Sequence, residues 1–133
     1  MADEEITFRD GAELVDLDAL AGLIALGGWP ARDRAVLAQQ VAGSRYVVSG
    51  WQGARMIGFA RGISDGVTNG YVSTVVVHPD LRGRGIGRAL VARLIGEPGS
   101  IRWVLHARPE LHSFYGKLGF VAAPDILWRQ RAR

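Results

Sequence analysis

Five of the six residues from Arg82 to Gly87, Arg-Gly-Arg-Gly-Ile-Gly, are arginine or glycine. Both types suit an anion. Glycine leaves backbone N–H groups uncovered, and a helix that starts there presents further free N–H groups to the same place. Arg82, Arg84 and Arg88 would add charge, or would simply hydrate the start of that helix. Two familiar phosphate loops do not fit. A P-loop ends in Gly-Lys-Ser/Thr, and this one ends Gly87-Arg88-Ala89. The dinucleotide fingerprint needs its third glycine at position 88, which is Arg88, and no acidic residue closing a second strand stands out downstream. Side chains able to move a proton are few: Tyr115, His78, His106, His112 and a scatter of carboxylates that includes Asp65. With no cysteine, thiolate nucleophiles, disulfides and zinc–thiolate sites are excluded, and no metal is expected.

The elements around the loop follow from pattern. Val72, Val75, Val76 and Val77 form a β-branched run that ends at His78-Pro79, where proline cannot continue a ladder. Gly87, Leu90, Val91 and Leu94 fall on one helical face, and Pro98-Gly99 stops that helix. Upstream, Ile6–Arg9 reads as a strand. Asp16 caps a helix bearing Leu17, Leu20, Ala21 and Ile24, stopped by Gly27-Gly28 and Pro30, and a second helix runs from Asp33 to Val41. Residues 45–51 and 54–63 read as a hairpin turning at Gln52-Gly53, and Asp65-Gly66 marks the next turn. Arg102–Ala107 is a strand, with Trp103 and Leu105 on one face and Val104 and His106 on the other. A helix over 109–118 ends at Gly119, and Val121–Trp128 supplies a last strand or pair. The order β-α-α-β-β-β-α-β-α-β predicts an α/β (α+β) domain spanning 1–133, a mixed sheet with helices on both faces.

Composition bounds the function classes. At 133 residues, nearly half of them apolar, one core can form without metal or disulfide help. The acidic start, Met1-Ala2-Asp3-Glu4-Glu5, lacks the basic and apolar regions of a signal peptide, and no run is long enough to span a membrane. A cytoplasmic location and no membrane partner are therefore expected. The net charge of +3 comes from arginines that are scattered, apart from 82-84-88 and the tail at 129-131-133. A phosphate-rich cofactor accounts for the first group better than nucleic acid does, and no nucleic-acid partner is expected.

The hexad Arg82-x-x-Gly85-x-Gly87 resembles the pyrophosphate-binding signature of the GCN5-related N-acetyltransferases, Arg/Gln-x-x-Gly-x-Gly/Ala. Its setting does too: a strand ending Val-His-Pro before it, an amphipathic helix after it, and then Phe114-Tyr115-Gly116-Lys117-Leu118-Gly119-Phe120, similar to the family's second signature. The resemblance covers at least Met56 to Trp128. Gly58-Phe59-Ala60-Arg61, Asp65-Gly66 and the terminal Trp128 resemble in particular the plastid-type arylalkylamine (serotonin) N-acetyltransferases and their small bacterial relatives.

The resemblance implies a sheet of six to seven strands with about four helices, splayed between two central parallel strands. It implies acetyl-CoA as cosubstrate and transfer of the acetyl group to an amine, a small molecule or a protein, by direct attack in a ternary complex. Val75, Val76 and Val77 would hold the pantetheine arm and the acetyl carbonyl. Arg82, Gly83, Arg84, Gly85, Ile86, Gly87 and Arg88 would hold the pyrophosphate. Tyr115 would be the proton donor to the leaving thiolate, since a phenol near pKa 10 is protonated at pH 7. Trp29, in the link between the first two helices, would stand near the acceptor or belong simply to the core. Many relatives place an acidic residue just before the valines, where this chain has Thr74; the base is then His106, His112, Asp65 or a water chain. Arg108 stands where relatives often have Asn or Asp. Thr74 and Arg108 also leave open a CoA-binding regulatory module without catalysis. Relatives often dimerise through C-terminal strands, so a homodimer is among the implied arrangements.

Overall fold

The computed structural model describes residues 5–132. Two aspartates start the first helices. Asp16 Oδ1 accepts the Ala19 N–H at 3.0 Å ahead of α1 (Leu17–Leu26), and Asp33 Oδ1 accepts the Ala35 N–H at 3.4 Å ahead of α2 (Arg34–Ala42). Caps of this kind stabilise a helix by about 1 kcal/mol each. Before them runs β1 (Ile6–Asp10); after them come β2 (Tyr46–Gln52), β3 (Arg55–Ser64), β4 (Asn69–Val77), α3 (Ile86–Ile95), β5 (Arg102–Leu105) and α4 (His112–Gly116). Short 3₁₀ turns precede α1, follow β4 and lead into α4.

The strands lie in the order β1-β2-β3-β4-β5, antiparallel up to β4, with β5 parallel to β4. A parallel neighbour requires a crossover, and α3 provides it. Helices α1 and α2 cover one face: Leu20, Leu23, Ile24, Leu37 and Val41 pack on Val47, Trp51, Phe59 and Val76. On the other face Ile86, Leu90 and Leu94 of α3 pack on Val48, Ile57, Ala60 and Val72. Each such fully buried aliphatic side chain contributes about 1.5–3 kcal/mol relative to exposure.

The expected six to seven strands are corrected to five. Residues 121–128 form no strand, and Val121, Leu127 and Trp128 are 87%, 92% and 69% exposed. Pro124 in the middle of that run has no N–H for a ladder, so β-branched composition alone does not recruit a partner. The helix expected over 109–118 is also shorter: a 3₁₀ turn at Pro109–Leu111 leads into five α-helical residues, and Gly119 at φ 94° ends the segment.

The turn between β3 and β4 is built by Asp65. Its carboxylate accepts the N–H groups of Val67, Thr68 and Asn69 at 2.8, 2.9 and 3.2 Å, which holds its pKa well below the usual carboxylate range. At the next junction the Trp103 ring of β5 lies across Gly62 and Gly70, with Tyr46 edge-on to it at 5.2 Å. A Cβ on Gly70 would sit 2.5 Å from that ring, and one on Gly62 2.8 Å from it. Gly70→Ala should therefore displace Trp103 and destabilise the fold by about 1–3 kcal/mol, read from the midpoint of urea unfolding. An unchanged midpoint would mean that the indole does not hold β5 against these glycines.

Candidate active site

Strand β4 outlasts its parallel neighbour. Its pairing with β5 runs from Asn69↔Arg102 to Val72↔Leu105 and stops, while pairing with β3 continues to Val77. The His78 N–H donates to Ile57 O at 2.8 Å on the β3 side. Alternation along a strand then puts the N–H groups of Val76 and Thr74 on that same side, and those of Val75 and Val77 on the side β5 has left. Backbone donors beside a core need partners. An extended ligand entering the gap would supply them, and a carbonyl oxygen there would meet preorganised donors.

The glycine loop lies at the end of this gap. Gly83 and Gly85 take φ of 81° and 78°, a region that favours glycine, and nothing lies within 4 Å of a Cβ built on either. Gly85 is the N-cap of α3 in the left-handed conformation, with no side chain capping the helix and no acidic residue in its first turn. The N–H groups of Ile86, Gly87 and Arg88 have no partner within the helix. Arg82, Arg84 and Arg88 are exposed around them. Open backbone donors, a helix N-terminus and surrounding arginines match the chemistry of an oligophosphate.

Residue 87 draws the pieces together. A Cβ there would lie 3.5 Å from Phe114 of α4 and 3.7 Å from Val77 of β4, so Gly87 joins α3, β4 and α4 at ordinary contact distance. Beside Phe114 sits Tyr115, half-buried and edge-on to Phe114 and Phe120, with ring centroids 4.9 and 5.8 Å apart. Burial pushes the Tyr115 phenol above its ordinary value, so it is protonated at neutral pH. Among the described residues its hydroxyl has no hydrogen-bond partner.

The remaining sequence candidates sit elsewhere. Asp65 lies at the opposite end of β4 from the glycine loop, its carboxylate occupied by the turn. It also lines a shallow, open depression of about 370 Å³ with Ile63, Asn69, Tyr71, Arg102 and Val104. His106 is exposed just past β5, its ring 5.8 Å from that of Trp128. His112 Nε2 stands 3.2 Å from Ala107 O at the start of α4. His78 caps a 3₁₀ turn by accepting the Asp80 N–H on Nδ1, with its side chain only 15% exposed. Trp29 folds back on Gly27 at the end of α1 and is 40% exposed. Arg108 is exposed, 3.9 Å from Glu110.

A further cluster was not assembled by sequence reasoning. Arg61 on β3 is buried, and its guanidinium donates from Nε to Thr74 Oγ1 at 3.0 Å, from Nη2 to Ser73 Oγ at 2.9 Å and from Nη1 to Ser44 Oγ at 3.3 Å. The register shift opposite Arg61 and Gly62 makes Ser73 the extra residue of a bulge, so two consecutive hydroxyls of β4 reach one guanidinium. Ser44 hands its own proton to Gln40 O at 2.6 Å, and Gln40 Oε1 accepts from Arg32 Nη1 at 3.1 Å. Burial, then the like charge of Arg32, lower the Arg61 pKa, against a smaller opposing effect of Tyr71. The sequence carried one signal, an arginine inside the otherwise apolar run Met56–Ile63.

Comparison with known proteins agrees with this geometry. Residues 42–122 match the family model of the acetyltransferase (GNAT) domain. Over 122 residues the chain is 35% identical to GCN5-related N-acetyltransferase 1, chloroplastic, of Arabidopsis thaliana, covering 88% of this chain and 62% of the relative. Over 120 residues it is 34% identical to serotonin N-acetyltransferase 2, chloroplastic, of Oryza sativa subsp. japonica, covering 85% and 60%. The chain thus spans about six-tenths of the length of these two relatives. Among solved structures, a Deinococcus radiodurans protein assigned as an acetyltransferase superposes with a TM-score of 0.79 at 25% identity, covering 94% of this chain and 88% of the other. With the family model spanning more than half of the residues and the β4–β5 gap, glycine loop and α4 tyrosine all meeting at one end of the sheet, the chain belongs to the GCN5-related N-acetyltransferase family.

Proposed function

We propose that this protein is an acetyl-CoA-dependent N-acetyltransferase that acetylates a primary amine by direct attack within a ternary complex. The observation that carries the reading is the early end of the β4–β5 ladder, which leaves the Val75 and Val77 N–H groups facing a gap between the glycine loop and Tyr115. The family uses acetyl-CoA, and the residues fit it: oligophosphate chemistry at the loop, extended backbone donors along β4, and no side chain capping α3. When bound, acetyl-CoA supplies the activated acetyl thioester.

The chain's own groups then divide the work. The Val75 and Val77 N–H groups lie about 6.8 Å apart along the strand. One of them therefore holds the acetyl carbonyl oxygen and stabilises the negative charge that grows on it, while the other pairs with the extended arm of the cosubstrate. Tyr115 gives its proton to the departing sulfur, which its raised pKa permits throughout the neutral range. With no cysteine in the chain, an acetyl-cysteine intermediate is excluded. Thr74 cannot act as a base at neutral pH, and Asp65 is engaged by three backbone N–H groups; proton removal is left to His106, to His112 or to water leading to bulk solvent.

For the acceptor we favour a small, arylalkylamine-like amine, supported by the named activity of the rice relative and by exposed Trp29 and Tyr71 on the α1–α2 side of the sheet. A protein lysine or N-terminus is the second reading, supported by the open, shallow form of the depression beside Tyr71.

Thiol release from acetyl-CoA, followed over serotonin, tryptamine, spermidine, free amino acids and lysine peptides, tests the activity. Turnover on one class is expected, and Tyr115→Phe should lower kcat by about 10²-fold with little change in the KM for acetyl-CoA. Equal turnover in the two proteins would remove Tyr115 from the mechanism. Silence over the whole panel, with acetyl-CoA still raising the Tm, would favour a binding module. Gly85→Ala should raise the KM for acetyl-CoA roughly tenfold, because a left-handed non-glycine residue costs about 1–2 kcal/mol and turns the α3 N–H groups off target. An unchanged KM would place the phosphates elsewhere.

A further inference from the structure

A buried cation normally has a carboxylate or an anion beside it, because losing water costs several kcal/mol that neutral partners only partly return. Arg61 breaks that pattern. Its partners are three neutral hydroxyls, and among the described residues no carboxylate pairs with it. The nearest ionisable neighbours are Arg32, from the link between α1 and α2, and Tyr71 on β4. Neither is a carboxylate, so no acidic side chain among the described residues pairs with the guanidinium.

The location makes this consequential. Ser73 and Thr74 are the two residues of β4 that follow Val72, the last one paired with β5. Arg61 therefore grips β4 at the apex of the gap, one residue before the open N–H of Val75. Each hydroxyl accepts from the guanidinium and keeps its own proton free to donate, and an alcohol beside a cation is far too weakly basic to take a proton from an ammonium. A general base at this point is chemically excluded.

We propose that Arg61 sets the protonation state of the acceptor: its unbalanced positive charge at the apex disfavours the ammonium form of the incoming amine and so stands in for the absent carboxylate base. The inference rests on the acetyl-transfer reading above. In the step, the ammonium loses its proton to bulk water. The nitrogen lone pair then forms the C–N bond to the acetyl carbon, the C–S bond breaks with its electron pair on sulfur, sulfur takes the Tyr115 proton, and the second proton released from nitrogen returns through water to the Tyr115 phenolate. A nearby cation favours the neutral amine, the form that attacks, and also steadies the negative charge on the carbonyl oxygen.

The sign gives the test. The amine of the panel that turns over fastest is prepared with ¹³C at its amine-bearing carbon, and its pKa is read by NMR titration in the ternary complex with CoA, alongside the pH dependence of kcat/KM. In the wild type the bound amine should titrate about one pH unit or more below the free amine. Arg61→Met should return the bound pKa toward the free value and move the acidic limb of kcat/KM upward by a similar amount, whereas Arg61→Lys, which keeps the charge, should leave both near wild type. If Arg61→Met does not fold, Gln40→Glu places a carboxylate beside Arg32 with the guanidinium fork intact, and should raise the bound pKa in the same direction. A folded, active Arg61→Met or Gln40→Glu with an unshifted bound pKa overturns this role while leaving the acetyltransferase reading intact. A wild-type protein that turns over no amine overturns that reading, and this inference with it.

Discussion

One constraint organises the molecule: a strand near the middle of the sheet loses a neighbour before it ends. β4 is paired on both sides as far as Val72 and on one side only from there to Val77. In an ordinary sheet the orphaned N–H groups would be a liability, either unsatisfied or open to another strand. Here they face a space bounded by the start of α3 and by α4, and among the described residues no strand follows β5. The rest of the fold serves that opening. α1 and α2 fix one face of β4 through Val76, α3 fixes the other through Val72, and Trp103, laid across Gly62 and Gly70, holds β5 in place where the ladder still exists.

Backbone groups therefore carry much of the recognition. The loop ahead of α3 works through N–H groups made accessible by left-handed glycines, and the gap works through N–H groups released by strand divergence. Such donors are positioned by the fold and cannot rotate away, so they cost little reorganisation when charge develops nearby. Side chains have the complementary task of controlling protons. Tyr115 holds one in a half-buried aromatic setting, and Arg61 brings a charge without a counter-ion to the same region from the opposite face. A carboxylate in place of Thr74 would pair with that guanidinium; the threonine leaves its charge unspent.

The sheet ends at β5, a strand of four residues. A short edge limits what another chain can pair with. Beyond it the chain runs through α4 into residues 121–132 without regular structure, carrying Val121, Ile126, Leu127 and Trp128 exposed. The apolar character of this run resembles that of a strand, yet Pro124 interrupts its donors.

What the sequence by itself determined was everything that depends on neighbours along the chain. The Asp16 and Asp33 caps, the alternation in β3 and β4, the turn at Asp65-Gly66 and the glycines at 83 and 85 are local rules, and the helices and strands built from them formed close to where they were expected. The two signatures, Arg82 to Gly87 and Phe114 to Phe120, are local as well, which is why the family could be read before any fold was known. Tertiary structure decided the contacts between distant segments. It released the N–H groups of Val75 and Val77 by ending β5 at Leu105, tied Asp65 into its own turn, and denied Val121–Trp128 a place in the sheet. It also brought Ser44 and Ser73 to Arg61 across 17 and 12 residues of sequence. Those outcomes turn on which surface each segment meets when the sheet closes over its helices, and spacing along a chain does not encode that.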